Sequence, residues 1–142
     1  MEISSQEKKY ILSEFKRLEQ YRNIVHTADA FADIDTRNAV KSIEEIAAAQ
    51  VEARRVAEQC RLRILALSSA IRDSVETAHK QSDHERIASA LYQNLVLGMR
   101  SYEVGLTSSV IAKYRKIAIE SAAKRMHAKG LLSEEGDHSE EC

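Results

Sequence analysis

Not one proline occurs in this chain of 142 residues. Proline removes a backbone donor and clashes with the preceding helical turn, so its absence lets helices run uninterrupted. The strongest punctuation in the central hundred residues is Ser82-Asp83-His84-Glu85. In this Ser-x-x-Glu pattern, serine and glutamate can each satisfy a free amide at a helix start. The pattern lies almost midway between two helix-periodic stretches of similar length. The sequence therefore predicts an all-α fold: a long, coiled-coil-like antiparallel helical hairpin plus an N-terminal helix, together an elongated three-helix bundle.

Composition agrees with helices and excludes other classes. Apolar residues make up 44%, charged residues 30% and aromatics only 5%. This is too apolar for a disordered chain and too poor in aromatics and turn signals for a wide β-sandwich. One domain is expected over residues 1–132, with helices at 5–26, 36–80 and 83–129. A tail over 133–142 carries five acids and no lysine or arginine, and is expected to be disordered. No apolar run approaches the ~18 residues that span a bilayer, and the first twenty residues alternate charge with hydrophobe. The expected location is cytoplasmic. Cys60 and Cys142 read as two unrelated free thiols.

Periodicity supplies the candidate core. Ser4-Ser5-Gln6-Glu7 opens a helix whose apolar face is Ile11, Phe15, Leu18, Tyr21 or Arg22, and Val25. Residues 27–36 lose the period and read as a connection, with Asp35 or Thr36 capping the next helix. The second helix has a heptad seam of Ile43, Gln50, Ala57, Ile64, Ile71 and Ala78, joined by Ile46, Ala53, Cys60, Leu67, Ser74 and Gln81. Small residues in that seam permit close approach of helix axes. Ala47, Ala49, Val56 and Val75 widen the stripe, implying more than one neighbouring helix. The third helix shows Ala88, Leu91, Leu95, Gly98, Tyr102, Gly105 and Ser109, then shifts phase to Leu106, Val110, Ile117 and Ser121. A break is expected near Gly98 or Gly105 if anywhere. Their seven-residue spacing is better explained by close packing, Gly98 against the region of Ala66 and Leu67 and Gly105 near Cys60. Gly130 should end the helix.

Catalytic patterns are sparse. Arg72 to His79 resembles the Arg-x(4–6)-His signature of the HEPN family of all-helical ribonucleases. That resemblance implies dimer-related arginines and histidines acting on a ribose hydroxyl and a phosphorane. It covers eight residues, and the same spacing is expected on a solvated helix face. Glu76 and His79 have the spacing of half a di-iron site, but no second Glu-x-x-His exists to complete it. A further similarity links Asp73-Ser74-Val75 and Ala90-Leu91-Tyr92-Gln93 to the small helical proteins that build R-bodies. The chain is more charged than those proteins and lacks their glutamine-rich, Asn-Ala-Val run, so that family is not assigned. No catalytic residue, metal ligand, phosphate loop or cofactor is expected.

Charge and apolar stripes point to contacts instead. Stripes wider than one antiparallel pairing needs imply self-association or a protein partner, with Tyr92, Leu95, Met99, Tyr102 and Leu106 as candidate contacts. The expected role is a small non-enzymatic structural or adaptor subunit of a larger assembly. The alternative is a nucleic-acid-binding accessory subunit using Lys113, Arg115, Lys116, Lys124, Arg125 and Lys129, where only Glu120 interrupts the positive charge. A HEPN-like ribonuclease is a distant third. Arg54, Arg55, Arg61 and Arg63 form another basic group whose directions do not converge on one stripe, with Glu58 placed to pair with Arg54 or Arg61.

Overall fold

The computed structural model describes residues 3–32, 43–78 and 83–132. Among them the chain is all-helical, without strands, in five α-helices: α1 (Ser5–Lys16), α2 (Leu18–Ala32), α3 (Ile43–Val75), α4 (His84–Leu95) and α5 (Ser108–Ala128). None of these helices is long and apolar enough to cross a membrane.

The N-terminal helix is two helices. Ser4 caps α1 as expected, its hydroxyl accepting from the Glu7 N–H at 3.0 Å. Arg17 then leaves helical geometry with φ −93° and ψ 3°, and its N–H bonds back only three residues, to the Glu14 carbonyl. The tightened turn lets α1 and α2 both bury apolar faces: Ile11, Phe15 and Leu18 have no exposed surface, and Tyr21 is 9% exposed. Contrary to the expected connection from residue 27, α2 continues to Ala32. Ala28 and Phe31 explain this: Ala28 is buried, Phe31 is half-buried with its carbonyl accepting from Gln50 of α3, and packing there overrides a weak local pattern. The expected caps Asp35 and Thr36 lie outside the described residues.

The third predicted helix is likewise divided. It ends at Leu95, passes through a 3-10 turn at Ser101–Glu103, and restarts at Ser108. Gly98 and Gly105 have φ +76° and +81°, values that L side chains rarely adopt, and no atom beyond the adjoining residues lies within 4 Å of where a Cβ would stand on either. The single helix expected over 83–129 is thus broken, at the two glycines named as the place for a break. The close-packing explanation is corrected: these glycines serve backbone reversal, not helix contact. Asn94 braces the reversal, its side-chain amide donating to the Met99 carbonyl at 2.8 Å. Thr107 starts α5, its hydroxyl accepting from the Val110 N–H at 3.3 Å. Gly130 closes α5 as expected, in a Schellman motif: Leu131 N–H bonds to the Met126 carbonyl and Gly130 N–H to that of His127.

The core lies where the C-terminal half of α3 meets α1, α4, α5 and the start of α2. Ala66 and Ala70 of α3, and Ala118, Ala122 and Ala123 of α5, have no exposed surface. Alanines on both partners allow the close axis approach that the heptad seam suggested, against α5 instead of the glycines. The α5 core face is Ile111, Tyr114, Ala118, Ile119, Ala122, Ala123 and Met126. The expected face of Val110, Ile117 and Ser121 is only half-buried, because restarting the helix at Ser108 resets its phase. Ser82 and His79 lie outside the described residues. Asp83, the next position, makes no side-chain cap bond.

Candidate interaction surface

Beyond this core, α2 and α3 continue as a pair. Residues 43–56 of α3 contain no buried position, and among residues 22–31 of α2 Ala28 alone is buried. The helices run in opposite directions: the Gln50 side chain donates to the Phe31 carbonyl at 3.3 Å, Arg61 meets Asp29 at 2.6 Å, and Arg63 reaches back to Glu14 in α1. Among the described residues, two grooves run along the seam between these helices. No described residue of α1, α4 or α5 lines either of them.

The first groove, about 460 Å³, is lined by Gln20, Asn23, Ile24, Thr27, Ala28 and Phe31 from α2, and by Ala53 and Val56 from α3. It holds no charged side chain in a chain that is 30% charged. The second, about 540 Å³, is lined by Ala28, Asp29, Val51, Arg54, Arg55, Glu58 and Arg61. Three of the four arginines expected to diverge thus meet at one groove, brought together by the edge of α2. Their charge is largely answered there. Arg61 pairs with Asp29 at 2.6 Å and more loosely with Glu58 at 3.9 Å, while Arg55 pairs with Glu52 at 2.6 Å. Three large apolar side chains of α3 stay exposed: Ile43 at 70% and Val51 at 62% in this stretch, and Leu65 at 52% beyond it.

Arg63 turns the other way, to a buried cluster that sequence reasoning missed. Glu14 is 1% exposed. It accepts from the Arg63 guanidinium at 2.8 Å and from the Tyr21 hydroxyl at 2.7 Å, while Arg17 approaches to 3.9 Å. Arg63 also donates to the Tyr10 hydroxyl at 3.2 Å. Burial first, and then the bond to Glu14, hold the Tyr21 phenol well above its ordinary range, so it remains a donor. The cluster ties α1, α2 and α3 together. The available signal was Glu14 itself, a carboxylate between Ile11 and Phe15 on the apolar face with tyrosines four residues before and seven after.

The expected contact residues do not form one face. Leu95 is core at 2% exposure, and Leu106 packs against the core. Tyr92 is half-buried, its hydroxyl accepting from Arg22 at 2.9 Å with that guanidinium also over its ring. Met99 is half-buried in the link, and only Tyr102 stands out, at 72% exposure. The break at Gly98 separates them.

The basic group sorts into committed and exposed members. Arg125 forms a two-pronged pair with Asp73 at 2.8 and 3.0 Å, and Ser121 donates to the same carboxylate at 2.7 Å. The Arg125 bond, aided by Ser121, draws the Asp73 carboxyl below the usual carboxylate range. Arg115 donates to the Asn94 side-chain carbonyl at 2.7 Å. Lys113, Lys116 and Lys124 are exposed on one side of α5, opposite its core face, and Lys129 is exposed at its end. Among the described residues no group of three or more His, Cys, Asp or Glu side chains could hold a metal ion. Arg72 is exposed, Glu76 sits in the turn after α3, and their expected partner His79 lies outside the described residues. Cys60 is a buried free thiol, pushed up in pKa chiefly by burial. Comparison with protein-family models, curated proteins and solved structures found no match.

Proposed function

We propose that this protein is a non-enzymatic helical adaptor or assembly subunit that acts through protein contacts along the α2–α3 pair. The observation that carries this reading is the uncharged groove between those helices, with Ile24, Phe31, Ala53 and Val56 half-buried along it. Accessible apolar surface that is contiguous and rimmed by polar groups favours a protein partner over water. The charged groove across the seam supports solubility and partner choice more than affinity. The cytoplasmic location expected from the sequence belongs to the same proposal, as does an elongated helical hairpin as the underlying plan. Placing a photo-crosslinker at Thr27 and identifying the captured protein tests it. Capture should depend on the groove and be lost in Asn23→Arg. A chain whose cellular complexes are unchanged by Asn23→Arg and Thr27→Arg together would defeat this reading.

A second reading has its own observation, the Lys113, Lys116 and Lys124 side of α5. It favours an accessory role on nucleic acid, with Arg115 and Arg125 withdrawn into contacts with Asn94 and Asp73. Three phosphate contacts would give a log–log salt slope of roughly −2 to −3. Binding that survives replacement of all three lysines by glutamine, or that ignores salt, would exclude it.

A further inference from the structure

From the charge and the chain path at the end of α5 we infer that the acidic segment 133–142 pairs with Lys124 and Lys129, and so shields that end of the lysine row from an anionic partner. This inference rests on the nucleic-acid reading above and specifies how that surface is regulated. Lys124 and Lys129 are exposed, and neither forms an ion pair among the described residues. The acids that meet this end of α5 are already engaged: Asp73 holds Arg125 at 2.8 Å, and Glu7 meets His127 at 2.6 Å. Glu120, one turn before Lys124, is half-buried and pairs with neither lysine. Segment 133–142 supplies Glu134, Glu135, Asp137, Glu140 and Glu141, with no lysine or arginine among them.

The chain path delivers those acids to the right place. Gly130, at φ +70°, turns the chain at the end of α5; Leu131 is 8% exposed, and Leu132 packs against the core. The Leu131 N–H bonds to the Met126 carbonyl, so the chain leaves level with the last turn of α5, beside Lys124 and Lys129. Ten residues reach at most about 33–36 Å, enough to pass round a helix about 10 Å across and meet both lysines. Lys113 lies about 16 Å further along the axis than Lys124. Closing a longer loop costs more entropy, which favours the two near lysines. Tethering selects this occupant over a free acidic partner, because acids on the same chain act at a high local concentration.

A zero-length carbodiimide joins a carboxylate to a lysine amine where the two already meet. In the dilute full chain at low salt, peptide mapping should find acids of 133–142 bonded to Lys124 or Lys129 of the same chain, with a yield that falls as salt screens the pairs. Crosslinks to Lys113 and Lys116 alone, or none from this segment, overturn the inference. Glu134→Gln, Glu135→Gln, Asp137→Asn, Glu140→Gln and Glu141→Gln together should tighten binding of a fluorescent single-stranded oligonucleotide about three- to tenfold at low salt, the gap closing as salt rises. Adding Lys124→Gln and Lys129→Gln should remove most of that gain. A gain that persists comes from net charge alone and overturns the shielding. Equal binding with and without the acids also overturns it and leaves the nucleic-acid reading standing. If no variant binds the oligonucleotide, the nucleic-acid reading falls and the shielding role with it, and the crosslinks alone decide the contact.

Discussion

Replacing Arg63 by methionine isolates the most consequential polar contact in the molecule. The substitution keeps much of the side-chain volume and removes the charge that answers Glu14. The carboxylate would remain 1% exposed, with the Tyr21 hydroxyl at 2.7 Å and Arg17 only at 3.9 Å. Breaking a buried ion pair on one side costs ~3–5 kcal/mol. The Arg63 side chain is 23% exposed and Arg17 can swing closer, so ~2–3 kcal/mol is the expected loss here. Glu14→Leu should cost less, since a freed Arg63 can turn its head to water along an apolar stem. The double variant removes both charges. Buried pairs replaced by apolar residues are often neutral or better, but Tyr21 would lose its acceptor at ~1 kcal/mol or more. The pair of substitutions should therefore lie within ~1 kcal/mol of the original chain, a coupling of ~2 kcal/mol between the two sites. Urea unfolding followed by circular dichroism measures all four chains, with an unchanged slope required so that midpoints can be compared. An Arg63→Met loss below ~1 kcal/mol, or a double variant no better than Arg63→Met, would refute the account of Glu14 as a dependent buried charge.

Other expectations follow from the same contacts. Gly98→Ala and Gly98→Leu should cost similar amounts, ~1–2 kcal/mol, because the penalty comes from φ +76° and not from crowding; a much larger loss for leucine in denaturant would restore close packing. Asp73 is held below its unfolded value by Arg125, so its stabilising effect is complete above pH ~4 and fades as pH falls through the lower folded value. Asp73→Asn should flatten that acid limb of an unfolding-versus-pH curve, by no more than ~1 kcal/mol for so exposed a pair, and an unaltered limb would remove Asp73 as its source. Cys60 is 5% exposed, so its thiol should react with a disulfide reagent only as fast as the chain opens, and immediate labelling in native buffer would contradict its burial.

What the sequence determined by itself is the class of structure. Absence of proline and dominance of helix formers leave little other than helices. The capping serine at 4, the apolar face from Ile11 to Tyr21 and the glycine stop at 130 could be placed because each depends on residues within a turn or two. The structure departed from that reading wherever a distant element decided. In sequence the spacing of Gly98 and Gly105 favours a packed helix, and the backbone φ chose reversal. That choice reset the phase of α5 and separated the five expected contact residues. Arg54, Arg55 and Arg61 diverge around a single helix, yet meet at one groove because α2 supplies its other wall. Glu14 lies on the apolar face in sequence, but nothing near it in the chain names the charge that answers it. Only Arg63, forty-nine residues later, made its burial tolerable. Periodicity reports which side of a helix avoids water, whereas the partner on that side is set by tertiary packing, which joins residues far apart in the chain.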